Sequence, residues 1–191
     1  MNELWIVRHG QTEWSATGRH TSTTDVPLTD AGRGAVAALA PELARHQFAL
    51  VLTSPRHRAR DSAAVAGFGA ATPDDDLCEW DYGEFEGMTT PEIRARGGAF
   101  ANWSIFRGPT PGGETIEQVA TRARRVLARV AAAEGAVLCF GHAHFSRVLT
   151  AVALDLEPRA AQRLMLDPAT ISIVGSEHDQ RALQRWNAPP D

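Results

Sequence analysis

The sequence contains no lysine: all nineteen of its basic residues are arginine. That absence excludes Schiff-base chemistry and a Walker-type phosphate loop, both of which need a lysine amine. Cysteine is nearly absent too. Cys78 and Cys139 are the only two and stand far apart in sequence, so neither a disulfide framework nor a zinc ligand set is indicated. A reducing, cytoplasmic location fits that usage. No long run of basic residues occurs and the net charge is −4, which argues against a nucleic-acid or anionic-membrane partner. No apolar stretch is long enough to span a bilayer, and Met1-Asn2-Glu3 passes into Leu4-Trp5-Ile6-Val7 without the pattern of an export signal. Carboxylates do not gather into an obvious cation site, because Asp74-Asp75-Asp76 lies in a Pro-flanked stretch that reads as a solvated turn. No metal ligand set and no cofactor site are expected.

What is present suits one substantial core: 191 residues, 43% of them hydrophobic, read as a single domain over 1–191. Leu4 to Val7 is a short apolar run that reads as a buried strand, and Gln11 to Thr29 follows as a polar loop. Helical spacing over Asp30 to Gln47 precedes a second strand at Leu50 to Thr53, and a helix over Arg56 to Ala66 begins directly after it. Residues 70–113 are rich in Gly, Pro, Asp and aromatics and read as a lid-like insertion with one short helix at Pro91 to Arg96. Thr115-Ile116-Glu117-Gln118 has the form of a capping box, and Ile116, Val119, Ala123, Val126, Leu127 and Val130 follow on one face. Ala136 to Phe140 is a third strand and Phe145 to Leu154 a helix. Thr170 to Val174 with Ala182 to Trp186 form a hairpin around Asp179 and Gln180. The alternation predicts an α/β fold whose sheet is mainly parallel, with an antiparallel edge.

Three clusters fall just past the C-terminal end of a predicted strand: Arg8-His9-Gly10, Ser54-Pro55-Arg56-His57 and Gly141-His142. Ligands of open α/β sheets bind at that edge, so these residues could converge there. Two arginines and two histidines suit a phosphoryl group, since guanidinium forks match its oxygens.

Leu4-Trp5-Ile6-Val7-Arg8-His9-Gly10-Gln11-Thr12-Glu13-Trp14 resembles the signature of the histidine phosphatase superfamily, which includes phosphoglycerate-mutase-like enzymes. Asp25-Val26-Pro27-Leu28-Thr29, Thr53-Ser54-Pro55-Arg56, Glu79, Gly83, Glu86-Gly87, Pro111-Gly112-Gly113-Glu114-Thr115 and Gly141-His142 continue the resemblance in family order. It implies a three-layer α/β/α sandwich. It further implies that His9 is the nucleophile, that Arg8, Arg56 and His142 grip the phosphoryl oxygens, and that Glu79 donates the proton. No metal is required in that scheme. Glu84 and Glu86 compete with Glu79 for the acid role. His57, His144 and Arg58 are either substrate contacts, supports of such contacts or surface residues.

Thr21 and Ser22 correspond to a loop that touches substrate in the family. Ser15 and Ala143 depart from frequent asparagine and glycine, which leaves the secondary phosphate contacts open. Trp80, Tyr82 and His144 complete the expected substrate side, with Trp80 stacking on a carbon face and Asp81 repelling a carboxylate. Gln11 to Ser15, Glu79 to Gly83 and His142-Ala143-His144 look closest to the branch of acid phosphatases and sedoheptulose-type bisphosphatases. The substrate implied is a small phosphorylated metabolite, such as a sugar phosphate or bisphosphate. Arg19, Arg58 and Arg147 are candidates for a second anion site. The alternatives are a cofactor-dependent phosphoglycerate mutase and a non-catalytic phosphate-binding protein. The mutases of the family carry a longer insertion after the glutamate and a lysine there, and this chain has neither. Homodimers are common in the family, though no exposed apolar stripe here demands one.

Overall fold

A computed structural model describes residues 2–190. Four parallel strands form the centre and one side of the sheet: β1 (Leu4–Arg8), β2 (Leu50–Thr53), β3 (Thr72–Pro73) and β4 (Val137–Gly141). An antiparallel pair, β5 (Ile171–Glu177) and β6 (Gln180–Ala188), closes the other edge, giving the order β3-β2-β4-β1-β5-β6. β1, β2 and β4 read as apolar runs because the sheet is covered on both faces there. Leu4, Ile6, Val137 and Cys139 point into one core with helices α6 (Ile116–Ala132) and α7 (Ala143–Ala153). Trp5, Val7, Leu138 and Phe140 point the other way, against α2 (Asp30–Ala37), α3 (Ala40–Leu43) and α4 (His57–Val65). Period-two alternation thus makes both faces of a three-layer α/β/α sandwich.

The capping box at Thr115 and Gln118 starts α6, with the Gln118 side-chain oxygen accepting the Thr115 N–H at 2.7 Å. Its buried face is Ile116, Val119, Ala120, Ala123, Val126 and Val130. Other expectations change. The helix predicted over Asp30 to Gln47 is two helices, because Pro41 lacks the N–H that a continuous helix would use and its ring opposes the carbonyl four residues back. The predicted loop from Gln11 to Thr29 holds α1 (Glu13–Ala16), a single turn with its own Thr12/Ser15 capping box. Four residues with no buried position leave no periodicity to read. In the 70–113 segment Thr72–Pro73 pairs with β2 at the sheet edge, where proline is tolerated. The short helix α5 spans Thr90–Ala95, and Phe85, Ile93, Trp103 and Phe106 are buried in the α6 core. Among the described residues no helix is long and apolar enough to cross a membrane.

Candidate active site

β4 lies between β1 and β2, and this order brings three strand ends together. Each ladder runs one step past its strand: the His9 N–H donates to the Gly141 carbonyl at 2.9 Å, and the Ser54 N–H to the Phe140 carbonyl at 2.9 Å. The predicted clusters are therefore adjacent, about one strand spacing apart. His9 is buried, and its Nδ1 lies 2.7 Å from the Gly10 carbonyl oxygen. A carbonyl only accepts, so Nδ1 carries the proton and the Nε2 lone pair is left free. The His142 ring sits edge-on to His9, 5.2 Å between centroids, with its Nε2 2.8 Å from the Ser54 hydroxyl. Arg8 donates from Nη1 to the Leu166 carbonyl, while Arg56 forms the N-cap position of α4.

Electrostatics follow from this crowding. Burial, then the charges of Arg8 and Arg58, hold the His9 pKa well below the usual imidazole value, although the bond to Gly10 opposes them. Burial also lowers His142 well below that value, helped by Arg58, His9, Arg8 and Arg56. His9 and His142 are thus neutral bases among guanidinium cations. Among the described residues, Arg8 Nε, Arg56 Nε and His142 Nδ1 are buried without a hydrogen-bond partner. Of the three, Arg8 lines the cleft beside His9, where a guanidinium fork matches the oxygens of a tetrahedral oxyanion.

Glu79 is buried and receives three backbone N–H bonds. Trp80 N and Phe145 N donate to Oε1 at 2.9 and 2.8 Å, and His144 N donates to Oε2 at 3.0 Å. His144 and Phe145 belong to the first turn of α7, whose N-cap residue His142 offers no side-chain cap, so Glu79 supplies it from another segment. Neither competitor is placed comparably. The Glu86 carboxylate accepts the Ser22 and Thr24 N–H groups, and Glu84 faces Arg96.

A cleft of about 350 Å³ opens over His9, and Arg8, Glu79, Ser15, Thr21, Tyr82, Ala143 and His144 all line it. Its size suits a small ester. Several expected contacts lie elsewhere. Trp80 is buried, donates its indole N–H to the Glu114 carbonyl and packs edge-on against Phe106, so it does not wall the cleft. Asp81 does not line the cleft, and its Oδ1 accepts the Gly83 N–H at 2.9 Å. Ser22 is buried under Glu86 and Arg58 rather than in the cleft. Arg58 is fully buried and spends its fork on the carbonyls of Thr21, Ser22 and Thr24, so it is a loop anchor and not a second anion site. His57 is exposed beside Asp25. Arg19 and Arg147 do line the cleft. The cleft also takes His20, Thr90, Leu166 and Asp167, which sequence reasoning missed. His20 stands in a polar stretch without period, and Leu166-Asp167 is brought in by the Arg8 bond and by Asn187, whose side-chain oxygen accepts the Asp167 N–H. Among the described residues, no group of three or more His, Cys, Asp or Glu side chains is placed to hold a metal ion.

Comparison with known proteins points the same way. The sequence pattern of the histidine phosphatase superfamily (branch 1) matches residues 4–189. An acid phosphatase of Mycobacterium tuberculosis is 37% identical over 187 residues, covering 95% of this chain and 90% of that protein. Sedoheptulose 1,7-bisphosphatase of Saccharomyces cerevisiae is 35% identical over 177 residues, 77% of this chain; the match spans 65% of the yeast protein. A solved structure of a Mycobacterium tuberculosis open reading frame superposes with a TM-score of 0.91 at 34% identity, covering 100% of this chain and 99% of that one.

Proposed function

The chain belongs to branch 1 of the histidine phosphatase superfamily, and from that premise we propose that it is a metal-independent phosphatase that hydrolyses small phosphate monoesters through a phosphohistidine on His9. Relatives named as phosphatases support the reaction class. The observation that carries the finer reading is a buried, neutral His9 whose Nδ1 is held by the Gly10 carbonyl so that Nε2 is free, beside Arg8 in the cleft and edge-on to His142.

In this scheme Nε2 attacks phosphorus in line, forming the P–N bond as the P–O bond to the alcohol breaks. Arg8, Arg56 and His142 hold the phosphoryl oxygens while charge moves onto and off them. Glu79 gives its proton to the leaving alkoxide. The resulting carboxylate then takes a proton from water as that water attacks phosphorus, the P–N bond breaks and inorganic phosphate leaves. His9 returns to its starting tautomer because the Gly10 carbonyl keeps the proton on Nδ1.

Phosphate release from a panel of sugar phosphates, glycerate phosphates and a chromogenic ester, with chelator present, tests the reading. Wild-type protein keeps its activity under chelation, His9→Ala falls to background, and Glu79→Gln loses on the order of 10²- to 10⁴-fold. Activity that survives His9→Ala or disappears with chelator sinks the mechanism. A strict requirement for a bisphosphoglycerate primer assigns the mutase reaction instead. Absence of both activities leaves a phosphate-binding protein.

A further inference from the structure

Tyr82 is the only tyrosine in the chain, and its hydroxyl is 2.6 Å from Nδ1 of His144 at the cleft wall. Two arrangements of that bond are conceivable, and hydrogen accounting separates them. Tyr82 is buried, and among the described residues its hydroxyl has no other partner. Were Nδ1 the donor, the phenolic hydrogen of the buried Tyr82 would lack an acceptor, whereas a hydrogen on Nε2 of the half-buried His144 can be met from the cleft, a difference of about 1–3 kcal/mol. The hydroxyl therefore donates and Nδ1 accepts. Burial, with Glu79 and Glu86 adding to it, raises the Tyr82 pKa well above its ordinary value, while burial and Arg147 lower that of His144 well below its own. His144 is then a neutral imidazole in the Nε2–H tautomer, and its Nε2 has no partner among the described residues.

Surroundings fix the ring in place. Phe106 lies 5.4 Å from the His144 centroid and His20 5.8 Å, while His20 tilts against Tyr82 at 4.7 Å. His20 is itself lowered to about 4 by burial and lies 3.3 Å from the Thr90 hydroxyl, which adds a second uncharged polar group to the same wall. The backbone N–H of His144 donates to Glu79 Oε2 at 3.0 Å, tying the ring to the group proposed to protonate the departing oxygen.

We propose that Tyr82 and His144 form a specificity dyad whose fixed Nε2–H donates to a hydroxyl oxygen of the esterified alcohol, so that the cleft prefers phosphate esters of polyhydroxylated alcohols to bare alkyl esters. The assignment rests on the phosphatase reading for its reaction, but binding tests it apart from turnover. His144→Phe keeps a ring against Phe106 and His20 and removes both nitrogens. Calorimetric titration in the His9→Ala background, which holds an ester uncleaved, compares sorbitol 6-phosphate with n-hexyl phosphate. The ratio of their affinities falls about tenfold on adding His144→Phe, the scale of one hydrogen bond. An unchanged ratio, or no binding of either ester, overturns the dyad. Imidazole nitrogen NMR on histidine-labelled wild-type protein gives a second readout: His144 appears as Nε2–H, and Tyr82→Phe mixes the tautomers. A wild-type His144 found as Nδ1–H also overturns it. If the tautomer and the ratio hold while wild-type protein releases no phosphate from any ester, the phosphatase reading has failed and the dyad's ligand preference stands.

Discussion

Arg58 shows how far one side chain can depart from the cluster that announced it. Its neighbours in Ser54-Pro55-Arg56-His57 sit at a strand end, yet one helical step turns its guanidinium away from the cleft and under the loop of residues 21–24. Two nitrogens reach three carbonyls, a fan that suits the planar fork of arginine and not the point charge of lysine. Burial lowers its pKa even so, with Glu79 and Asp25 opposing, and its charge helps to keep His9 and His142 unprotonated. Arg58→Lys is expected to lower unfolding stability by about 2 kcal/mol, since it leaves buried carbonyls short of donors. It should also raise KM through Thr21, which the loop presents to the cleft. Urea unfolding together with steady-state kinetics checks both; a variant within about 0.5 kcal/mol of wild type would show that the carbonyls find other partners.

At the scale of elements, the loop carrying His9 is positioned by its contact with α2, and two glycines of that helix make the point. A Cβ added at Gly32 would lie 2.2 Å from the Gln11 carbonyl oxygen, whereas one added at Gly34 meets nothing within 4 Å. Backbone against backbone cannot yield as a side chain tip can. Gly32→Ala should therefore cost about 1–3 kcal/mol and reduce phosphatase activity by displacing Gly10 and His9. Gly34→Ala should stabilise by about 0.4–1 kcal/mol and leave activity as it was. Thermal unfolding and kcat for the pair decide it, and equal effects from the two methyl groups would refute the packing argument.

The same contact marks what could be read in advance. Strand ends after apolar runs flagged Arg8, His9, Ser54, Arg56 and His142 because a buried parallel strand leaves a plain signature, and the sheet order then set them side by side. Irregular segments carry no period. Trp80 and Tyr82 were therefore indistinguishable in sequence, although one faces the core and the other the cleft. His20, Thr90, Leu166 and Asp167 reach the cleft only through tertiary bonds, such as that from Arg8 to the Leu166 carbonyl. Helix ends were clearest where a cap was written locally, as at Thr115, and obscure where it came from a distance, as Glu79 does for α7.

Across the whole molecule, four imidazoles share one electrostatic condition. Burial lowers His9, His142 and His144 well below 6.5 and His20 to about 4, with Arg8, Arg56, Arg58 and Arg147 adding to it around the first three. In the unfolded chain each of them binds a proton near pH 6.5. Below that value the unfolded state holds more protons than the native one, so stability rises with pH and is lost as pH falls through 6.5 toward the native values. Each group contributes a slope approaching about 1.4 kcal/mol per pH unit within that window. The consequence is a conflict between chemistry and stability on the acid side: His9 stays a competent neutral base as the solution is acidified, while the fold that presents it weakens. Two measurements separate the terms. The midpoint of urea unfolding should fall steadily from pH 7 to pH 5 and fall less steeply in His9→Ala, which lacks one of the four groups. Inorganic phosphate, if it binds at the proposed site around His9, should raise the midpoint, by about 2.7 kcal/mol of stability at a hundredfold excess over its Kd. If stability were level between pH 7 and pH 5, the imidazoles would have to be protonated in the native state, and His9 could not serve as the nucleophile there.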